Sequence, residues 1–550
     1  MFLVRGVGAT FGQAHSPAVA PTPRTGDAPS PARDYFRHLR SAREVPRDAH
    51  AISGCAGGEK GRRADELCAG EEARRPFSPP AGAPAERAPS KVTRAAPCVR
   101  PTRAGTQVQG EVKICPGRYR IPDPDERGVI IAVSSGTHID LTGVTLVSGD
   151  TLQHEYRGRG VVVSNVDNVA IVGGTIRGYR FGVRVEGGRA HRISGVDVSG
   201  TRAQRLRSTP EQFDEGDWLD IFRPDTFELY GSGIYLRGTD GASVTGIVSR
   251  GAQNGIGLFA ARASYIADND VSGNSGWGIH LWRSSHNTLL RNQAHHNVRC
   301  EGTTYRRGCD SAGILLREQS DSNTIADNDL SSSGDGFFLS GHRPLVRPSV
   351  GNLVIRNNAT GAYHNAFEST FSWGNSFIDN RADSSDYGFW LGYSSGNLVR
   401  GNTIIGSRTA AIAIEHGSEN TLSANVMIGG NVGIRLFVRA PGGEPSRGYR
   451  VDDNTFARLT QGLVLETTTR ARVRGNLFDG VGDAVVVDST GRDVDLTGNI
   501  FLRATGSFIK AAELAAGGNY WGTRDARETM QKIVGKVSLD PWRSAREAGY

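Results

Sequence analysis

The chain has 550 residues, 72 of them glycine, and short apolar runs alternate with Gly, Asn, Asp and Ser, which is typical of many short strands joined by turns. No run approaches the roughly 18 consecutive apolar residues of a membrane-spanning helix, so composition excludes a membrane span. The net charge of +7 comes from residues 1–107, which hold 17 Lys and Arg against 10 Asp and Glu. Since the whole chain has 64 basic and 57 acidic residues, the remaining residues hold 47 of each sign. A body without net charge gives no support to nucleic-acid binding.

Residues 1–105 are rich in Pro, Ala, Gly and Arg and show no sustained period of a helix or a strand. A segment of this composition buries too little apolar surface to fold, so we predict a disordered Pro/Ala/Arg-rich arm. The first 24 residues lack the apolar region of a secretory signal, so no signal peptide is visible at this N-terminus.

The rest of the chain repeats a short segment of the form Gly or Ala, apolar, any residue, apolar, with a base period of about 22 residues. Longer spacings at 202–232, 300–311 and 342–349 are insertions that keep the register. The repeats begin at Gly233, Gly255, Gly278, Gly313, Gly336, Ala366, Gly388, Ala411, Gly433, Gly462 and Ala484.

Two columns of Asn follow the same period, about nine and fourteen residues into each coil. Asn tolerates the left-handed conformation at a bend, and stacked Asn side chains can hydrogen-bond as a ladder. The first column is Asn287, Asn323, Asn375, Asn397 and Asn420, and the second is Asn269, Asn292, Asn328, Asn380, Asn402, Asn425, Asn476 and Asn499. A coil of this length holds two or three strands, and stacked coils build one continuous core.

The repeat resembles the right-handed parallel β-helix of the pectate-lyase-like superfamily and of bacterial β-helix-repeat proteins. The opening EVKICPGRYRIPD is similar to the N-terminal cap of that superfamily, and the ending GGNYWGTRDARETMQKI is similar to its closing segment. The resemblance implies an all-β solenoid over 106–522, and 523–550 is predicted to be a C-terminal cap and tail with a short amphipathic helix over 523–535. The fold hosts many activities, and neither the Asp-Pro-His pattern of β-helix mannuronan epimerases nor the adjacent-Asp pattern of polygalacturonase-like hydrolases is found, so no catalytic residue is carried over.

Cysteine positions favour an oxidising compartment. Cys98 and Cys115 flank the start of the predicted fold, and Cys300 and Cys309 bracket one loop. We predict the disulfides Cys98–Cys115 and Cys300–Cys309, with unpaired thiols as the alternative, and we therefore expect a secreted or periplasmic protein.

Side chains of a strand alternate between its faces, so each repeat points two residues outward. These outward positions are rich in aromatic, His, Arg and carboxylate side chains, which suits sugar recognition, although the aromatics could instead pack under the inserted loops. One column is Tyr235, Gly257, His280, Leu315, Phe338, Glu368, Trp390, Ala413 and Arg435, and the other is Arg237, Phe259, Trp282, Arg317, Ser340, Thr370, Gly392, Glu415 and Phe437.

We therefore expect a monomeric enzyme that cleaves or epimerises a polysaccharide, which could contain uronate, along an outward groove. The predicted catalytic residues are Asp335, Glu368, His280, Arg317 and His342. Asp335 and Glu368 are an acid–base pair for hydrolysis, whereas a lyase or epimerase would use His280 or His342 as its base and Arg317 as its electrophile. The predicted substrate-binding residues are Tyr235, Arg237, Trp282, Phe338, His364, Trp390, Tyr393, Glu415 and Arg435.

Two alternatives stay open at this point. Clustered carboxylates in 202–232 could hold Ca²⁺, or this could be a solvated acidic loop. The protein could also be a non-catalytic glycan-binding or surface-structural β-helix. The repeat also resembles the periplasmic β-helix proteins that deliver copper to nitrous oxide reductase, but only Met427 of the three methionines lies in a coil, and copper handling favours soft ligands.

Overall fold

A computed structural model describes residues 98–149, 152–209, 211–212, 214–223, 225–300, 308–341, 347–439, 446–523 and 525–548, all within one compact unit, Thr93–Tyr550. The predicted arm up to residue 97 lies outside the described residues. Successive coils wind into a right-handed parallel β-helix, in which equivalent residues pair from coil to coil: Ile256 pairs with Ile279, and Ile279 with Ile314. The predicted all-β solenoid is confirmed.

Each coil contributes a strand to a first sheet, a three-residue strand to a second sheet, and a single bridge or short strand to a third face. The first sheet contains Thr106–Val108, Ile130–Ala132, Arg159–Ser164, Phe181–Glu186, Ser232–Arg237, Asn254–Phe259, Trp277–Trp282, Ala312–Arg317, Asp335–Ser340, Asn365–Thr370, Tyr387–Gly392, Thr403–Glu415, Val426–Phe437, Gln461–Leu465, Asp483–Val487, Ile509–Ala515 and Ile533–Ser538. The second contains Glu111–Lys113, His138–Asp140, Ala170–Val172, Arg192–Ser194, Ser243–Thr245, Tyr265–Ala267, Thr288–Leu290, Thr324–Ala326, Leu353–Ile355, Ser376–Ile378, Leu398–Arg400, Thr421–Ser423, Arg450–Asp452, Arg472–Arg474 and Asp495–Thr497.

The third face is formed by strands at both ends of the solenoid and by isolated bridges between them, such as Asp270 to Gln293. Its strands are Gly117–Arg120, Val144–Val147, Thr175–Arg177, Thr455–Ala457, Leu477–Val481 and Ile500–Ala504, and Ser446–Arg447 pairs separately with Thr468–Thr469. The helices are short: the α-helices Phe227–Tyr230, Ala526–Met530 and Ala545–Ala548, and the 3₁₀ turns Gln153–Glu155, Glu215–Asp217 and Gly308–Asp310. Within the described residues, no helix has the length and apolarity needed to cross a membrane.

The predicted Asn ladders are confirmed, and they bond more fully than the sequence indicated. Asn402 Oδ1 accepts both the backbone N–H and the Nδ2 of Asn380, and Asn402 Nδ2 donates to Asn425 Oδ1 and to the carbonyl of Phe377, at 2.8–3.1 Å. The ladders also include Asn352, Asn357, Asn454 and Asn519. The residue in the left-handed conformation is the one before each Asn, as at Asp379 with φ of 53°. That residue turns the backbone at the bend, and the Asn side chain hydrogen-bonds the backbone groups that the bend leaves free.

The ends of the solenoid differ from the predicted boundaries. The first coil begins by Val99, which bridges to Ile114 beside the disulfide Cys98–Cys115, whereas the sequence placed the start at 106. At the other end the helix occupies only Ala526–Met530, and Ile533–Ser538 is a strand that pairs with Ile509–Ala515. The predicted helix over 523–535 is therefore corrected, because the chain adds a further strand to the first sheet.

The insertion at 202–232 folds back over the outer surface of the first sheet. Leu219, Ile221 and Tyr230 are buried there with the outward residues Leu315 and Phe338. Phe227 packs against Tyr235 and His280, with ring centroids 4.9 and 4.5 Å apart. Gly257 makes room for it, since a Cβ there would lie 2.3 Å from Phe227 Cε1. We call residues 202–232 the covering segment.

Candidate functional site

The covering segment removes much of the predicted groove from solvent. Tyr235, His280, Trp282 and Arg317 are fully buried and Phe338 is 4% exposed, so these residues do not line an open groove as expected. In these coils the outward aromatic side chains pack under an inserted loop, which was the alternative to an open groove.

Two of the predicted roles lose their chemical basis. Burial and the nearby Arg317 guanidinium hold the pKa of His280 well below its usual value, so a neutral, enclosed imidazole replaces the expected base. The Arg317 guanidinium donates to the Ser340 hydroxyl and the Gly341 carbonyl, both at 2.7 Å, instead of facing a substrate carboxylate. Arg237 pairs with Asp225 of the covering segment at 3.1 Å.

The acidic residues of the covering segment do not converge on one ion. Asp217 accepts the backbone N–H groups of Arg207 and Ser208, and Glu228 bonds to the Arg184 guanidinium. Asp217 and Glu228 thus fasten the segment, and among the described residues its carboxylates do not form the Ca²⁺ site that was one of the two alternatives for it.

A third outward column, which the sequence reasoning missed, lies one residue before each repeat glycine. Trp277 and Ala312 from this column pack outside the first sheet with Leu315. The same column then continues through Asp335, Asn365 and Tyr387, which are placed by strand register on adjacent coils. The sequence pattern that could have revealed this column is the recurrence of large or polar side chains just before each repeat glycine.

Asp335, His364 and Glu368 form the central cluster of the site. One ligand atom from each lies within 4.8 Å of the others, and His364 Nδ1 is 3.5 Å from Asp335 Oδ1. Asp335 Oδ1 accepts the backbone N–H of Asn365 at 2.8 Å, and Asn365 Nδ2 donates to Glu368 Oε2. We call these three residues, with Asp310, the acidic cluster.

Like charges and burial control protonation in the acidic cluster. Burial, together with the negative charges of Asp335 and Asp310, raises the pKa of Glu368 well above its usual value. Burial and Asp335 also raise the pKa of Asp310 to about 7. At neutral pH the cluster therefore holds protons that isolated carboxyl groups would release.

Asp310 was not identified from sequence, and its position depends on the second disulfide. The disulfides Cys98–Cys115 and Cys300–Cys309 are both present in the structure. Cys309 and Asp310 share the turn Gly308–Asp310, where both have φ near +50 to +60°. The Asp310 carbonyl also accepts from Trp277 Nε1 at 2.8 Å, so a bond under the covering segment fixes this turn.

The cluster opens toward the coils that follow it. The His364 side chain is 29% exposed, and Glu368, Tyr387 and Trp390 are partly exposed. Glu368 and Trp390 are direct neighbours in adjacent strands, and the rings of Tyr387 and Trp390 lie 4.8 Å apart edge to face. The aromatic side chains of Tyr387 and Trp390 therefore adjoin the carboxyl groups.

The other predicted residues lie further along. Glu415 is buried and pairs with Arg439 at 3.0 Å, and Arg435 pairs with Glu466 at 2.8 Å. Tyr393 stacks between Phe371 and His416 at the bend after the first sheet. None of these is brought into the acidic cluster, and His342 lies outside the described residues.

The fold and its register define a right-handed parallel β-helix with a partly covered outer face. The sequence model of the NosD family, described as periplasmic copper-binding protein (NosD), matches residues 127–334 and 332–536. The chain belongs to this family. No curated protein sequence matches it.

Solved structures with a similar fold come from proteins of different roles. The A-module of mannuronan C-5 epimerase AlgE6 from Azotobacter vinelandii shares 11% identity, covers 68% of this chain and 91% of its own, and has a TM-score of 0.43. The periplasmic alginate epimerase AlgG shares 13% identity over 65% and 76%, with a TM-score of 0.38. The Streptococcus pneumoniae surface adhesin PfbA shares 11% over 73% and 85%, also at 0.38. At these identities the functions of those proteins do not carry over to this one.

Proposed function

We propose that this protein is a glycoside-cleaving enzyme whose reaction takes place at the acidic cluster, with Glu368 as general acid and Asp335 as its carboxylate partner. Glu368 keeps its proton, and the neighbouring Asp335 carboxyl group accepts hydrogen bonds. This pair of carboxyl groups is the observation that carries the proposal. Environments that push two carboxyl groups toward different protonation states are how acid and base roles are divided between them.

The spacing of the pair favours one stereochemical course. Inverting enzymes keep about 6.5–9.5 Å between the carboxyl groups to admit a water, whereas retaining enzymes keep about 5–5.5 Å. One oxygen of Asp335 lies no more than 4.8 Å from one oxygen of Glu368, which is shorter than the separation kept by inverting enzymes and favours the retaining course. In the proposed reaction Asp335, whose side chain is 1% exposed and lies behind His364 and Glu368, attacks the anomeric carbon while Glu368 protonates the leaving oxygen. Glu368 then takes a proton from a water molecule, whose oxygen attacks the same carbon and releases the Asp335 carboxylate.

Hydrolysis fits this site better than uronate lysis or epimerisation. Those reactions need a cation against the substrate carboxylate, and the predicted one, Arg317, is buried and bonded to Ser340 and Gly341. Trp390 next to Glu368 offers a ring for the apolar face of a sugar.

The test is turnover on a panel of polysaccharides, with Glu368→Gln and Asp335→Asn compared with the parent protein. Both variants should lose at least about a hundredfold in kcat, the contribution of a positioned acid or base, while keeping the thermal midpoint of a folded protein. Glu415→Gln, on the same face but outside the cluster, is the matched control and should keep full activity. Full turnover in the Glu368→Gln variant would refute the assignment.

A second function, binding of a divalent metal ion, is favoured by the same three side chains and by the family. Two carboxylates and one imidazole suit a hard or borderline ion, or Cu²⁺, better than Cu⁺, which prefers sulfur. Among the described residues, Met427 is buried in the core and Cys98, Cys115, Cys300 and Cys309 are in disulfides. The donor set therefore fits a divalent ion held by Asp335, His364 and Glu368.

Calorimetric titration with Ca²⁺, Zn²⁺ and Cu²⁺ separates the two functions. Binding near one ion per chain that is lost in His364→Ala, together with no turnover on any glycan, would favour metal binding. Turnover that persists in a chelator would favour the carboxyl pair.

We also propose that the protein works outside the cytoplasm. Its two disulfides persist in an oxidising compartment, and the family is described as periplasmic.

A further inference from the structure

A basic recess lies at an earlier coil, away from the acidic cluster. One hollow of about 520 Å³ is lined by Arg157 and Arg202, and a second of about 700 Å³ is lined by Arg202, Arg205 and Arg207. The two hollows share Arg202 and His154. We call this the arginine recess.

Asp123 and Glu155 also line the first hollow, and Glu126 lies near Arg202, but each of these acidic groups bonds to other residues. Glu126 pairs with Arg180 at 3.1 Å. Asp123 accepts the backbone N–H groups of Arg127, Gly128 and Arg159, at 2.9–3.0 Å. Among the described residues, the one ion pair of Glu155 is with His154, whose Nε2 lies 3.9 Å from Glu155 Oε1. The side chains of Arg157, Arg205 and Arg207 form no ion pair within the described parts of the chain, in contrast to Arg237 and Arg435.

Arg202 is the most constrained of the group. Its Nε is buried and has no hydrogen-bond partner among the described residues. Burial, together with the positive charges of Arg180 and Arg157, lowers the pKa of Arg202, and the negative charge of Glu126 offsets this only in part. A bound anion would offset the repulsion between these guanidinium groups, since their exposed N–H groups bind carboxylates through paired hydrogen bonds.

The recess and the acidic cluster lie on the same edge of the solenoid. Arg157 and Arg202 precede the first-sheet strands Arg159–Ser164 and Ser232–Arg237, and Asp310 and His364 likewise precede Ala312–Arg317 and Asn365–Thr370. At about 4.8 Å per coil, the four coils from Ser232 to Asp335 place Arg202 on the order of 20 Å from the acidic cluster along the axis. The two further coils back to Arg159 place Arg157 on the order of 30 Å from it. An extended oligosaccharide can span these distances.

We infer that the arginine recess binds the carboxylate groups of an acidic polysaccharide and holds the chain whose cleavage takes place at the acidic cluster. The inference rests on the proposed function for the reaction, and it adds the substrate class: a uronate-containing glycan recognised by its charge at a position remote from the bond that breaks.

The ligand used as a probe is oligogalacturonate. The control ligand is its fully methyl-esterified form, which has the same sugar chain without the negative charges. Binding is measured by calorimetry on the full chain carrying Glu368→Gln, so that turnover does not consume the ligand. We expect the acidic oligomer to bind, the ester to bind at least tenfold more weakly, and affinity to fall with added salt. The double variant Arg202→Gln, Arg205→Gln should lose about tenfold or more, whereas Arg400→Gln, an exposed arginine without a described ion pair, should lose nothing.

Equal binding of the two oligomers, no binding of the acidic one, or equal losses in the double variant and the Arg400→Gln control would each overturn the inference. The result is separate from the proposed reaction, because it concerns affinity alone. Failure of Glu368 as an acid would show as full turnover in the Glu368→Gln variant, whatever the recess binds.

Discussion

Replacing Glu368 by Gln should stabilise the folded protein at alkaline pH while removing its activity. The side chain lies in a cluster where Asp335 and Asp310 are both negative neighbours. Gln keeps an oxygen that can accept from Asn365 Nδ2 and fills the same space. The substitution therefore removes a charge without opening a cavity.

The size of the effect follows from the spacing of the carboxyl oxygens. Two unit charges no more than 4.8 Å apart repel by at least about 3.5 kcal/mol at an effective dielectric constant of about 20. Protonation and solvent at the open side of the cluster relieve part of this repulsion, so we expect a gain of about 1–3 kcal/mol at pH 9. For a unit of several hundred residues, unfolding entropy of about 2.1 cal/mol/K per residue converts this to roughly 1–3 °C in Tm.

The pH dependence has a definite sign. A carboxyl group with a raised pKa binds more protons folded than unfolded, so the parent protein loses stability as pH rises from about 4, the unfolded value, through the folded pKa. Glu368→Gln should therefore match the parent near pH 4 and exceed it increasingly as pH rises. Differential scanning calorimetry at pH 4, 6, 7.5 and 9 measures this trend.

The control is Glu415→Gln on the same sheet. The Glu415 carboxylate pairs with Arg439 at 3.0 Å, so its removal should leave Tm unchanged or lower it at high pH. A Glu368→Gln protein that is less stable than the parent at pH 9 and equal to it at pH 4 would contradict the like-charge account of the cluster.

Three further substitutions test other parts of the structure. Asn402→Ala strands the N–H of Asn380 and the carbonyl of Phe377 and should cost about 3 kcal/mol or more, seen as a lower Tm, while exposed Asn431→Ala should cost nothing measurable. Phe227→Ala should cost about 3–5 kcal/mol and expose Trp277 and Trp282 to acrylamide quenching, whereas Leu229→Ala, from the same helix but 42% exposed, should do neither. Asp310→Asn removes one charge that raises the pKa of Glu368, so the alkaline loss of kcat should move to lower pH; an unchanged alkaline limb would remove Asp310 from the site.

The solenoid could be predicted from the sequence because its determinants repeat. Each coil repeats Gly, apolar residues and Asn at fixed offsets, and parallel pairing lines up these positions, as in the bonded column from Asn380 to Asn425. The ends were harder, since Val99 and Ile533–Ser538 belong to coils that lack this pattern. Local periodicity says little about the last pairing partner of a sheet.

The site could be predicted only in part, for a physical reason. Alternation along a strand identifies which side chains point outward, and it placed Glu368 and Trp390 correctly on one face. It does not indicate what covers that face, because the covering segment is a single, non-repeating insertion. Its contacts, such as Phe227 on His280, decide that the coils from Ser232 to Arg317 are closed.

The covering of the early coils and the position of Asp310 have a common origin in this molecule. Trp277 is buried together with Leu219 and Tyr230 of the covering segment, and its indole N–H holds the carbonyl of Asp310. The same packing that encloses the early coils therefore positions a carboxyl group of the acidic cluster and limits its contact with water. A variant that loosens the covering segment should for this reason lower the pKa of Glu368 as well as the stability, which would couple the Phe227→Ala protein to an alkaline activity limb shifted toward lower pH. Stability loss without that shift would mean that the cover and the cluster are independent.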